Sequence, residues 1–563
     1  MPLLLIRNGT IYDPLHGVEG VKSDLWVCDG RVIACPATGS AQPDRVIDAE
    51  GLVVMPGGVD MHCHIAGPKV NAARKMLPEN RRRARPYLRT DVTRSGTIGS
   101  VPSTFATGYL YAGLGYTSAF DAAIPPLAAR HAHDEFHDTP LLDKGFLVLA
   151  GNNHFVMQQI KKSEPQLVQA YLGWLLNSTK GYGIKVVNPG GVENWKNRAN
   201  GNVKTLDDLV DGFGITPRQI IRHIATAVDE LGLPHATHIH CNNLGLPGNW
   251  TTTLETMQAL EGRRGHLTHI QFHSYGGDPD DQSTFRSEVP RLAEYVNQHT
   301  NVTIDVGQVM FGSTVSMTGD GPLGYYLHRV TGGKWFSGDI EQEAGCGIVP
   351  ITYKEKSFVH ALQWAVGLEW YLLIDNPWRV AMSTDHPNGA SFLAYPQIIA
   401  LLMDRTRREE ALKRLPSRLR EISVLGQLKR EYTLNEIAII TRAAPARMLG
   451  LTRKGHLGPG ADADITIYTP NADIETMFEL PRFVLKAGEV LIEQGEVRRT
   501  IEGITQQTAP AYDVDVIPSI REWFESCYSM QFRNYPIEDY EVGATTIEPC
   551  RTAESSARPS PSA

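Results

Sequence analysis

A chain of 563 residues with 42% apolar and 21% charged side chains fits an ordinary globular protein, too long for one compact core and so built as a large domain with at least one satellite. Its formal net charge of −8 argues against nucleic acid as the main partner. No apolar run is long enough to cross a bilayer, and the opening MPLLLIRNGTIYD lacks the basic start of a secretory signal, so it reads as a first strand. The seven cysteines, Cys28, Cys35, Cys63, Cys241, Cys346, Cys527 and Cys550, are odd in number, and no pair has the C-x-x-C spacing of a zinc knuckle or iron–sulfur cluster. That predicts a reduced, cytoplasmic compartment and places any redox step on another polypeptide.

Residues 1–50 read as short strands and turns, with Asp29-Gly30 as a hairpin signal. From 51 to 440, apolar runs alternate with longer helical stretches. The runs are GGVDMHCH, GYTSAFDAA, GFLVLAG, GYGIKVVNP, HATHIHC, HLTHIQFHS, NVTIDVGQ and WRVAMSTDH. Eight parallel strands joined by helices predict a (β/α)8 barrel, an α/β fold whose active site lies at the C-terminal strand ends. After 440 the texture of the first fifty residues returns in GADADITIYTP and FVLKAGEVLIEQGEVRRTIEG. Residues 1–50 and 441–504 are therefore expected to build one small composite β-sandwich domain beside the barrel. Residues 505–563 form a C-terminal extension in which Trp523, Phe524, Tyr528 and Phe532 serve as an interface or cover the barrel, ending in a disordered Ser/Pro/Ala tail.

The candidate chemistry sits at the strand ends. In GVDMHCHIAG the side-chain period of two sends His62 and His64 to the same side. Strand four offers Lys185 between apolar residues, strand five His238 and His240, strand six His269, Gln271 and His273 on one face, and strand eight Asp385. The rule that the last inward residue lies nearest the mouth selects His62, His64, Lys185, His240, His273 and Asp385. It leaves His238 and His269 as packing residues behind the site, and His386 pointing away along its strand. Such nitrogen and oxygen donors suit Zn²⁺, or Mn²⁺, Fe²⁺ or Co²⁺, and two metals about 3.5–4 Å apart clamp a hydroxide and a substrate oxygen. An unpaired ammonium among apolar strand residues is costly, and carboxylation of Lys185 by CO₂ turns it into a bridging carboxylate. Asp385 then binds one metal and takes a proton from the nucleophilic water.

This order, HxH, Lys, His, His, Asp on strands one, four, five, six and eight, resembles the amidohydrolase superfamily. IHCNNLG, QFHS and STDHP are similar to stretches of hydantoinases and dihydroorotases, and GHLGPGADADITIY fits their flanking β-domain. HCHIAGPKVN, GSVPSTFATGYLYAGLGYT, GIKVVNPGG and HCNNLG resemble more closely the A subunits of formylmethanofuran dehydrogenase and of the bacterial formyltransferase/hydrolase complex, over all but the tail. The resemblance implies N6-carboxylysine at Lys185 and two Zn²⁺ ions, one on His62, His64, Lys185 and Asp385, the other on Lys185, His240 and His273. It implies that a metal-bound hydroxide attacks an N-formyl methanofuran-type (methylofuran) carrier, releasing formate and the free amine, in a complex with other subunits. Three alternatives stand beside it: the archaeal enzyme condensing formate with methanofuran, a stand-alone cyclic amidase of the hydantoinase or dihydroorotase type, and a non-catalytic scaffold.

Two features stay open. Asn188, Asn242 and Asn243 orient substrate or cap loops. The stretch RKMLPENRRRARPYLRT, residues 74–90, carries seven basic residues against Glu79 alone. It is either a solvated face or an anion clamp in which Arg81, Arg82 and Arg83 hold the glutamate tail of a furan-type carrier.

Overall fold

The computed structural model describes residues 3–37, 42–83, 85–197, 202–338 and 346–551. The tail expected to be disordered, from 552 onward, lies outside the described residues.

The eight apolar runs form a parallel barrel. In chain order its strands are Gly58–Cys63, Tyr116–Ile124, Asp143–Leu149, Gly183–Val187, Thr237–His240, Gly265–Leu267, Val302–Asp305 and Val380–Ala381, each paired with the next. The ring closes where Cys63 bridges His386 and the His64 N–H donates to the His386 carbonyl at 2.8 Å. These strands read as continuous apolar runs because every strand residue is buried, apart from the half-buried Thr303. Outer helices bury one stripe against them. Pro217–Glu230 starts in a capping box, Thr216 with Gln219, and turns Ile220, Ile221, Ile224 and Val228 inward.

Strand six departs from expectation. It ends at Leu267; His269 then takes a left-handed conformation (φ +35°) and Ile270–His273 coils into a 3₁₀ turn. His269, Gln271 and His273 therefore do not share a strand face. The turn is fixed from strand seven, whose Asp305 accepts the His269 N–H at 3.0 Å. Helical spacing instead brings His269 and His273 together, with stacked rings 5.2 Å apart. Gly307 makes room for this, since a Cβ there would stand 2.4 Å from that of His269.

Both chain ends build one nine-stranded sheet beside the barrel. Leu3–Asp13 pairs with Val18–Cys28 and with Val53–Pro56, and the latter receives the returning strand Ile465–Tyr468. Ile6, Val27, Ile47, Val54, Ile465 and Leu485 share its core. The barrel side runs on to Leu449, which packs with Val59 and Met61 of strand one. A buried ion cluster joins the two parts: Lys486 Nζ lies 2.7 Å from Asp143 and 3.2 Å from Asp464, and Lys454 lies 2.8 Å from both Asp462 and Asp464. The C-terminal extension packs onto the barrel. Thr505–Thr508 lies beside strand three, and Trp174 stacks on Phe532 and Tyr535.

Candidate metal centre

At the mouth of the barrel, strands one and eight converge. Nε2 of His62 and Nε2 of His64 lie 3.1 and 2.9 Å from the same Asp385 oxygen, Oδ1. Lys185 Nζ reaches to 3.5 Å from His62 Nε2. Burial pushes the Lys185 amine down to about 7, against the pull of Asp385 and Asp305. Burial alone would raise the Asp385 carboxyl, yet His269 and His62 beside it hold it well below the usual range. Across the mouth, ligand atoms of His240, His269 and His273 lie within 4.8 Å of one another. Burial pushes all three imidazoles down, which eases the loss of the ring proton that metal binding requires.

The far side of three of these rings is pinned by an aspartate. Asp305 Oδ2 lies 3.2 Å from His62 Nδ1, Asp121 Oδ1 lies 3.4 Å from His64 Nδ1, and Asp320 Oδ2 lies 3.1 Å from His240 Nε2. A carboxylate on one ring nitrogen fixes the tautomer and turns the other nitrogen toward a metal. Asp121 also accepts the Ile65 and Ala66 N–H groups, and Asp305 accepts from His266 Nε2 at 3.0 Å. His238 lies beneath, linking His235 to His62 Nδ1 at 3.0 and 3.1 Å. Asp121 and Asp305 were legible as lone acids in the apolar runs of strands two and seven; Asp320 lies outside any barrel strand and carried no such signal.

These residues fit a cation. Among the described residues, Nδ1 of His269 and both ring nitrogens of His273 are buried with no hydrogen-bond partner, an arrangement that costs free energy unless an ion or ligand satisfies them. The donor set is nitrogen and carboxylate oxygen, as zinc-type ions prefer.

Above them lies a cavity of about 130 Å³ with His64, Lys185, His240, His269 and Asp385 among its lining. His269, not His273, reaches it. The expected substrate ligands stand elsewhere. Asn188 Nδ2 donates to Asp320, Asn242 Nδ2 donates to Asn188 and to the Pro189 carbonyl, and Asn243 accepts from Asn202. None of the three lines the cavity. Arg81, Arg82 and Arg83 end the helix Pro78–Arg83; Arg82 is exposed and outside the cavity lining, and the side chains of Arg81 and Arg83 lie outside the described part.

Barrel, composite sheet and mouth define the class: the chain belongs to the amidohydrolase family, which matches residues 45–492. Membership implies metal binding, and the His/Asp groups at the mouth are candidate sites for it. Within that class the chain is 45% identical over 561 residues to Protein FwdA of Methanocaldococcus jannaschii, covering 95% of this chain and 96% of that one. It is 41% identical over 522 residues to the A subunit of the formyltransferase/hydrolase complex Fhc of Methylorubrum extorquens, covering 89% and 90%. It also superposes on a chain of the crystal structure of FhcABCD from that organism in complex with methylofuran, with a TM-score of 0.91 and 36% identity, covering 98% of this chain and 100% of that one. Among the described residues no helix is long and apolar enough to cross a membrane.

Proposed function

We propose that the chain hydrolyses the formamide of an N-formyl methanofuran-type carrier, releasing formate and the free carrier amine, as the A subunit of a cytoplasmic formyltransferase/hydrolase complex. The observation that carries this reading is the near full-length likeness to a chain of a complex crystallised with methylofuran. In this reading His62, His64 and Asp385 would hold one Zn²⁺ and His240 and His269 the other, and Lys185, as a carboxylysine, would supply a further ligand. His269 takes the place given to His273 because it, and not His273, reaches the cavity. The lowered Lys185 amine favours carboxylation, since the neutral amine is the form that reacts with CO₂. When bound, the metals supply an acidified water and an electrophile for the formyl oxygen. Asp385 takes a proton from the attacking water and returns it to the amine nitrogen as the C–N bond breaks. The exposed Arg82 attracts the carrier's glutamate tail from outside the cavity.

The likeness to FwdA favours a second reading, the same site run toward the formamide in a formylmethanofuran dehydrogenase; the partner subunits decide the direction. The test is formate release by the purified complex from N-formyl methylofuran, beside hydantoin and dihydroorotate. Release from the formyl carrier alone supports the proposal. Turnover of a cyclic amide, or of nothing, refutes it.

A further inference from the structure

The connection between barrel strands seven and eight is more than a crossover. Its described residues include the strand Gly312–Thr318, the helix Gly321–Thr331, and the strands Phe336–Gly338 and Cys346–Tyr353, which make a separate three-stranded sheet. This insert supplies much of the apolar cavity wall, through Leu323, Leu327, Val330, Ile351 and Tyr353. It is seated on the barrel by Val315, Met317 and Ile348, packed with Val70 and Ala73 of the helix Pro68–Met76.

Two chains of hydrogen bonds run from this wall to opposite flanks of the centre. On one flank, Asp320, 2% exposed and immediately before the helix Gly321–Thr331, lies 3.1 Å from His240 Nε2 and accepts from Asn188 Nδ2 at 3.0 Å. On the other, Asn388 accepts the Met317 N–H at 2.6 Å and donates from Nδ2 to Asp385 Oδ1 at 2.9 Å. Tyr353 closes the second chain by donating its hydroxyl to the Asn388 carbonyl at 3.0 Å. The contrast with the other ligand histidines is specific. Asp305 and Asp121, which pin His62 and His64, sit on barrel strands seven and two, whereas the carboxylate that pins His240 belongs to the insert. Asp385 itself stands at φ +51°, beyond the end of strand eight, with Asn388 as its amide support.

We infer that Asp320 and Asn388 are positioning residues through which the insert couples the occupied cavity wall to His240 and Asp385. This rests on the proposed reading of the cavity as the carrier site and of those two residues as metal ligands. A carrier that packs its apolar part on the insert holds the wall in place, and the wall holds the two side chains; by linkage, bound metal then tightens the carrier as the carrier tightens the metal. Asp320 touches neither substrate nor the reacting atoms in this arrangement, so its effect appears first in metal retention.

The test uses the metal-loaded complex with its native partners. Metal loss to a chelator is followed in the presence and absence of free methylofuran amine, for wild type, Asp320→Ala and Asp320→Asn, with thermal melting of each. Asp320→Asn keeps the side-chain volume but turns an amide toward its donors. The expected result is wild-type metal that methylofuran protects, and loss roughly 10–100-fold faster in both variants, with the protection gone. Both variants should also lose kcat more than they raise KM. Folded Asp320→Asn that releases metal at the wild-type rate, with methylofuran protection intact, overturns the inference. Wild type that releases formate but shows no methylofuran protection also overturns it. Failure of the functional reading is separate: wild type then neither binds methylofuran nor releases formate.

Discussion

Replacing Lys185 by methionine should abolish activity and yet stabilise the metal-free protein. In the barrel the Lys185 amine falls from an ordinary 10.5 to about 7, chiefly because burial strips water from its charge. At pH 7 the unfolded chain carries the full charge while the folded one is about half protonated. Each unit of pKa is about 1.4 kcal/mol, so the folded state bears a penalty of about 4 kcal/mol. The sign follows from a folded pKa below the unfolded one. The penalty is absent above the unfolded pKa of 10.5, grows as pH falls toward 7, and is constant below that. Methionine has a similar length and no charge, so chelated Lys185→Met should exceed chelated wild type by about 4 kcal/mol at pH 7. For a chain of 563 residues unfolding as a unit, that is about 3 °C in Tm. The advantage should shrink to nothing near pH 10.5. The assay is urea unfolding of the chelated protein across this range. A variant no more stable than wild type at pH 7, or an advantage unchanged with pH, would show that the buried Lys185 charge carries no such penalty.

Asp121→Ala removes the carboxylate from His64 Nδ1 and the acceptor of the Ile65, Ala66 and Ala123 N–H groups; metal affinity should fall roughly 10–100-fold, read by equilibrium dialysis. Asp143→Asn leaves Lys486 with Asp464 alone in the buried cluster between sheet and barrel, and should cost about 3–5 kcal/mol in urea unfolding while sparing the kcat of the folded protein. Changing Arg81, Arg82 and Arg83 together to Ser should raise KM for the formyl carrier at low salt and flatten its salt dependence; an unchanged salt profile removes the anion clamp.

Much of this architecture was readable because strands buried on both faces must be apolar throughout. Even strand eight, two residues long in the ladder, announced itself in VAMSTDH. The same logic put His62, His64, Lys185, His240 and Asp385 at strand ends, and the structure brings them to the mouth of the barrel. It failed at strand six, where counting by twos crossed a backbone that had already turned at His269, so His269 was set behind His273 although it reaches the cavity. Asp121 and Asp305 could have been found by asking why a buried strand carries a lone acid. Asp320 could not, because its meaning depends on where a separate sheet folds back over the barrel. The aromatic C-terminal segment allowed two readings from its composition, and its Phe524, Phe532 and Tyr535 rings pack on Trp174 of the barrel.

The proposed formamide hydrolysis needs Asp385 to move the proton. The most direct measurement is formate release from N-formyl methylofuran by the complex, wild type beside Asp385→Asn, with metal content determined on both. Wild type should release formate, and a variant still holding metal should do so at a rate reduced at least ~100-fold. Metal-loaded wild type that releases no formate, or metal-loaded Asp385→Asn that releases it at the wild-type rate, would contradict the proposal.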